Sequence, residues 1–202
     1  MTNSLSTNAI IKRHLSISVL LAVFIAPFAA AQSVTITESP RPFSATAPAN
    51  WSRQPPATGN SRLKFVSPSG TPYAECAVIV KSLPAPSGHS QAEINLAMLE
   101  APETVRITRG LSVSFSNVQV ISAGNGALSG FPAQAYNVQY SVGTPAGTQW
   151  VRSVTTTAMT VPDVVWTVVC GGQGRTLSEA QKAFEYWQLE FVKFLTFIKF
   201  LR

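Results

Sequence analysis

Between Leu111 and Cys170 the chain breaks into four runs, LSVSFSNVQVISA, FPAQAYNVQYSV, GTQWVRSVTTTAM and DVVWTVVC, rich in β-branched and aromatic residues and largely of period two. Period two turns alternate side chains to opposite faces, the signature of strands and not of a helix. GNGALSG, GTPAGT and TVPD separate the runs and carry turn chemistry. Links this short leave no room for a parallel crossover, so the runs are expected to pair as an antiparallel meander. GNGALSG, at 124–130, is expected to be a hairpin loop, because its glycine spacing does not fit a dinucleotide-binding turn.

Upstream, RLKFVS (62–67) and YAECAVIVKS (73–82) flank the turn SPSG and form a plausible hairpin. Phe43 to Pro48 also alternates as a strand, Val34 to Thr37 suggests a short one, and RQPPATGN is expected to be an exposed loop. Ser90 and Glu93 fit a capping box that opens a helix with Ile94, Ala97, Met98 and Ala101 on its apolar face. A second short helical piece is expected from Pro102 to about Thr108. The meander is expected to resume strand from Leu111.

The last element is a helix capped at Ser178 (with Gln181) or at Thr176 (with Glu179). Ala180, Phe184, Trp187, Phe191, Phe194, Ile198 and Leu201 form one stripe along it. Lys193, Lys199 and Arg202 sit toward its C-terminal end, where the helix dipole favours cations. Continued to Leu201, the helix would span roughly 36 Å at 1.5 Å per residue, more than most strands it would cover. Phe197 and Phe200 lie off the stripe. The closing FVKFLTFIKFLR therefore has two readings: core, or overhanging turns that touch a partner, a second copy or a membrane surface. The longest uncharged run in it is far too short to span a bilayer.

The N-terminus has the parts of a secretory leader: Lys12 and Arg13, an apolar run from Leu15 to Phe28, and small residues up to Ala31, so cleavage is expected between Ala31 and Gln32. Losing Lys12 and Arg13 with the leader lowers the formal net charge from +6 to +4. The remaining cations are scattered and not gathered into the stripe a nucleic-acid binder uses, so no nucleic-acid partner is expected. Cys76 and Cys170 are an even pair in a chain bound for an oxidising compartment, where a disulfide between them is expected.

Chemistry-bearing residues are scarce. Beyond the leader there is one histidine, His89, and one aspartate, Asp163. A metal site of three or four His, Cys or carboxylate ligands is not expected, nor is any cofactor. A hydrolytic triad would need His89 beside a serine and a carboxylate, and no G-x-S-x-G elbow presents a serine. The carboxylates Glu100, Glu103, Glu179, Glu185 and Glu190 are expected on solvated helix faces. VVCGGQGRTLSEA offers glycines before a helix start, with Arg175 as a helper for an anion, but it lacks the phosphate-loop pattern. A flexible turn between the meander and its helix accounts for those glycines. Trp150 and Arg152, on one strand face, together with Phe197 and Phe200, are the candidate contact surface.

The order of elements resembles the PsbP-like family of α/β/α sandwich domains. The matching features are FSATAPANW as an opening strand running into a Pro-x-x-Trp turn, the helix from Ser90, and SGFPAQAYNVQY as a Gly-x-Pro-Ala entry to a central strand. WVRSVTTTAM and VVWTVVC match the strands that follow, and the Phe-rich closing helix completes the order. The resemblance implies an α+β fold with an antiparallel sheet of about six to seven strands covered by helices. In plants the family's best-known member is a lumenal accessory subunit of photosystem II. It carries no catalytic residue onto this chain and implies an accessory, binding or assembly role. The expected organisation is a signal peptide at 1–31, a lead-in at 32–42 and one domain at 43–202. The expected function is a non-catalytic accessory protein of the periplasm or secreted medium, with an envelope protein or a second copy as partner. A hydrolase using His89, or a membrane-surface protein using the C-terminal helix, is the alternative.

Overall fold

The computed structural model describes residues 32–37, 41–55, 59–83, 88–161 and 164–201; the expected leader through Ala31 and the lone aspartate Asp163 lie outside them. The meander forms as expected and is longer than the sequence suggested. Strands β6 (Ser116–Leu128), β7 (Phe131–Thr144), β8 (Gly147–Thr160) and β9 (Val164–Gly174) pair antiparallel in succession. β9 also pairs with β5 (Ala74–Ser82), which continues through the hairpin to β4 (Ser61–Val66) and β3 (Ser52–Gln54). The result is a seven-stranded sheet in the order β3-β4-β5-β9-β8-β7-β6.

Directly opposed residues share a face, so the register divides this sheet cleanly. One face carries Cys76, Val78, Trp166, Val168, Cys170, Gly172, Arg152 and Ala158. The helix α3 (Leu177–Thr196) crosses it, burying Ala180, Ala183, Phe184, Phe191 and Phe194. The other face carries Tyr136, Tyr140, Ser153, Thr155, Glu75 and Ala77. Over its β6–β7 end lie α1 (Gln91–Met98) and α2 (Thr104–Ser112), held where Asn125 and Gln134 donate to the carbonyls of Leu99 and Glu100. Helices on both faces of an antiparallel sheet make this an α+β sandwich.

Several boundaries differ from the sequence reading. RQPPATGN is not all loop, because Ser52–Gln54 adds an edge strand. The stretch from Leu111 does not begin as strand; α2 runs on to Ser112 and β6 starts at Ser116. GNGALSG is mostly strand: the turn is only Ser129 and Gly130, both with positive φ (52° and 82°), the two-residue geometry that matches strand twist. The opening strand β2 (Phe43–Thr46) does not join the large sheet. It forms a second, three-stranded sheet with β1 (Ser33–Ile36) and β10 (Lys199–Phe200).

That last strand is the main correction. The closing helix stops at Thr196, and the chain turns at Phe197 to pair with β2. A single helix to Leu201 would have run past the sheet. Breaking it lets Phe200 stack on Trp166 with ring centroids 3.9 Å apart, while Ile198 remains buried. The tail is held by backbone hydrogen bonds as well: Phe200 N–H donates to Ser129 Oγ at 2.7 Å, and Leu201 N–H to the Pro42 carbonyl at 2.9 Å. Among the described residues no helix is long and apolar enough to cross a membrane.

Candidate functional site

The glycine-rich segment before α3 is not an anion-binding turn. Gly171, Gly172 and Gly174 are strand residues of β9; α3 lies directly on Gly172 and Gly174, while Gly171 abuts Ser153 of β8. The cap is at Thr176, whose Oγ accepts from Glu179 N–H, while the Glu179 carboxylate accepts from Arg175 N–H at 2.7 Å. The helix N-terminus thus has its own carboxylate where an anion would sit. Of the two caps open from sequence, Thr176 is the one used.

Arg152 is not a surface residue. It is 8 % exposed beneath α3, where Nε donates to Gln181 Oε1 at 3.1 Å and Nη1 to the Val138 carbonyl at 3.2 Å. Its guanidinium carbon stands 5.0 Å above the Phe184 ring. Burial lowers its pKa, and the hydrogen-bond chain continues from Gln181 to the Glu185 carboxylate at 2.7 Å. A buried, ring-stacked guanidinium that bonds the helix on one side and a strand carbonyl on the other anchors helix to sheet. Trp150, two residues earlier on the same face, is half-buried. Phe200 belongs to the aromatic stack with Trp166 and Phe131. Of the four expected contact residues only Phe197, at 49 %, is open to solvent.

His89, Ser90 and Glu93 come together at the start of α1. The geometry is that of a helix cap: Ser90 Oγ donates to Glu93 Oε2 at 2.8 Å and accepts from Glu93 N–H, and Ser90 N–H donates to the same carboxylate at 2.7 Å. These bonds hold the Glu93 carboxyl below its ordinary pKa, the backbone N–H contributing most. His89 Nδ1 lies 4.0 Å from Glu93 Oε2. The serine hydroxyl is thus directed at the carboxylate and not at the imidazole, the reverse of a hydrolytic triad. Among the described residues no three His, Cys, Asp or Glu side chains are grouped to hold a metal.

The second sheet face bears a polar row that the sequence reading missed. Tyr136 stands beside the hydroxyls of Thr155 and Thr157, and Tyr140 beside Ser153. Tyr73 donates to Glu75 at 3.2 Å, and Lys64 pairs with the same carboxylate at 2.6 Å. Burial, with the Glu75 charge adding to it, pushes the Tyr140 and Tyr73 phenols up to about 12. Burial also raises Tyr136. At neutral pH these phenols are hydrogen-bond donors and acceptors and not bases. The available signal was parity: Tyr136 and Tyr140 are four apart on one strand and share a face.

Cys76 and Cys170 form a disulfide between directly opposed positions of β5 and β9, buried under α3.

The fold is PsbP-like. It is similar to the solution structure of the cyanobacterial PsbP (CyanoP) of Synechocystis sp. PCC 6803, with a TM-score of 0.54 and 11 % identity over 90 % of this chain and 99 % of that one. It is similar also to the crystal structure of LpqN, a Mycobacterium tuberculosis protein involved in cell envelope biogenesis, with a TM-score of 0.51 and 12 % identity over 85 % of this chain and 91 % of that one. No family model matches the chain, and no curated protein matches it in sequence.

Proposed function

We propose that this chain is an exported, non-catalytic accessory or binding protein of the cell envelope, working with another envelope protein. The observation that carries the reading is the Cys76–Cys170 disulfide at the centre of the large sheet. Such bonds form and persist in oxidising compartments and are rare in the cytosol. The leader pattern before Gln32 agrees with that compartment. The fold likeness to LpqN, a protein of envelope biogenesis, agrees with the role. The serine and carboxylate nearest His89 have a structural duty instead: Ser90 and Glu93 cap α1.

The test is fractionation of the producing cell, with mass analysis and thiol alkylation of the recovered protein. Recovery outside the cytoplasm, starting at Gln32 and with both cysteines oxidised, is expected. A cytoplasmic protein that keeps Met1 and two alkylatable thiols would sink the assignment. The non-catalytic part is tested with activated esters and amides, where turnover that disappears in His89→Asn would overturn it.

A further inference from the structure

We propose that the pocket beside α1 is a soft-metal site that takes one Cu(I) ion through His89 and the thioether sulfurs of Met98 and Met159. These residues line one cavity of about 330 Å³ together with Glu93, Ile94 and Ala97. Beyond the N-terminal leader, His89 is the chain's one histidine and Met98 and Met159 are its only methionines. Three donors of compatible softness, from three separate places in the chain, thus converge on one pocket: the residue before the Ser90 cap, the last turn of α1, and the end of β8. Elsewhere the core is filled by Phe, Val, Leu, Ile, Trp, Ala and the disulfide-bonded cysteines.

The donor set selects the metal. Thioethers are neutral, soft ligands that favour Cu(I), and imidazole is an accepted partner for copper. Zinc asks for three or four nitrogen, thiolate or carboxylate ligands, and no such group of His, Cys, Asp and Glu occurs among the described residues. In an oxidising compartment thiols are lost as soft ligands, and here both are in the disulfide; thioethers keep that capacity.

The frame of the pocket is fixed before any metal arrives. Gln91, in the first turn of α1, donates to the carbonyl of Met159 itself at 3.2 Å and accepts from Val161 N–H at 3.0 Å. The helix bearing Met98 is thereby pinned to the strand end bearing Met159. Glu93, held by the cap, faces His89 Nδ1. The carboxylate thus stands behind the imidazole, in the place carboxylates take behind metal-bound histidines, and one ring nitrogen of His89 is the third donor. Met98 and Met159 are half-buried, and methionine's unbranched chain of three rotatable bonds is the most adaptable of the apolar side chains for meeting a ligand in such a pocket.

The experiment is an anaerobic competition. The chain, purified in the form its cell produces, is titrated against the Cu(I)–bicinchoninate complex. Ag(I) is added in parallel while the His89 ring and methionine methyl resonances are followed by NMR. One equivalent of Cu(I) should be withdrawn, and Ag(I) should shift the resonances of His89, Met98 and Met159 together. Met98→Leu, Met159→Leu and His89→Asn should each weaken binding by at least roughly tenfold, the two leucine variants with little change of core volume. The proposal is overturned if no Cu(I) is withdrawn, or if the Met98→Leu/Met159→Leu double variant binds as the parent does. It is equally overturned if Zn(II) displaces Ag(I) at equal concentration. The NMR shifts decide the matter even if a variant folds poorly.

Discussion

Gly172 passes so close beneath α3 that a Cβ on it would stand 2.3 Å from the backbone nitrogen of Phe184. Gly174 is as tight, with a Cβ there only 2.4 Å from Glu179 Cβ. The two glycines cut a channel in the sheet face, and the backbone of the helix lies in it. Contact with backbone leaves no flexible side chain to move aside. Gly172→Ala should therefore push the whole helix outward and cost more than about 3 kcal/mol, the upper end of overpacking effects. Gly143→Ala, on strand β7 with nothing within 4 Å of a new Cβ, should change stability by less than about 1 kcal/mol. Urea melts of the two variants decide it; equal midpoints would mean that the helix sits elsewhere.

The tail divides into one half-buried, ring-stacked phenylalanine, Phe200, and one exposed, Phe197. Phe200→Ala removes the ring stacked on Trp166 and packed near Phe131 and should lower stability by about 2–3 kcal/mol, somewhat less than a fully buried Phe→Ala change. Phe197→Ala should stay within about 0.5 kcal/mol, as exposed positions do. Thermal melting that ranked them the other way would show that the tail docks differently.

Tyr140 makes stability sensitive to alkali. Its phenol titrates at 10.0 when unperturbed and is pushed up to about 12 in the fold, first by burial and then by the Glu75 charge. Its contribution is complete below pH 10, because the neutral phenol is the form the fold accommodates. As pH rises from about 10 to about 12 the unfolded chain releases the proton first, and stability falls. The two-unit shift corresponds to at most roughly 2–3 kcal/mol. Tyr140→Phe should lose less stability than the parent between pH 9 and pH 11 in urea melts. Parallel losses would show that the phenol is not buried.

The disulfide closes a loop of 94 residues, for which the chain-entropy account gives roughly 4–5 kcal/mol. Both cysteines are completely buried, so a thiol reductant has access only after the sheet opens. In dithiothreitol without denaturant the bond should persist for as long as the fold does, and reduction should follow the rate of unfolding measured by fluorescence. Rapid reduction at full native signal would contradict the buried position.

The meander, the β4–β5 hairpin, the capping box at Ser90 and the core stripe of α3 were all legible, because each is local. Period two, turn residues and cap spacings act within a few positions of one another. The misreadings have a common cause. The glycines of β9 looked like a loop because sequence shows that a residue lacks a side chain but not what lies over it. Arg152 looked like a surface residue because a charge on an alternating strand is usually solvated. Phe200 looked like an overhang because the helical period continues past Thr196 while the helix does not. The row of Tyr136 and Tyr140 on β7, Ser153 and Thr155 on β8 and Glu75 on β5 belongs to three strands, and only their register joins it.

By itself the sequence determined the secondary-structure order, the antiparallel pairing of the meander and the apolar stripe of the closing helix. The reason is that backbone preference and hydrophobic period operate over short distances. Tertiary structure alone decided that β9 rises close enough to α3 to require glycine, and that Arg152 finds enough partners to be buried. It decided as well that the last residues leave the helix to complete a second sheet with β2, and that His89, Met98 and Met159 face one cavity. Each of these depends on residues brought together from distant parts of the chain, where van der Waals contact and hydrogen-bond geometry select the arrangement and no local pattern records it.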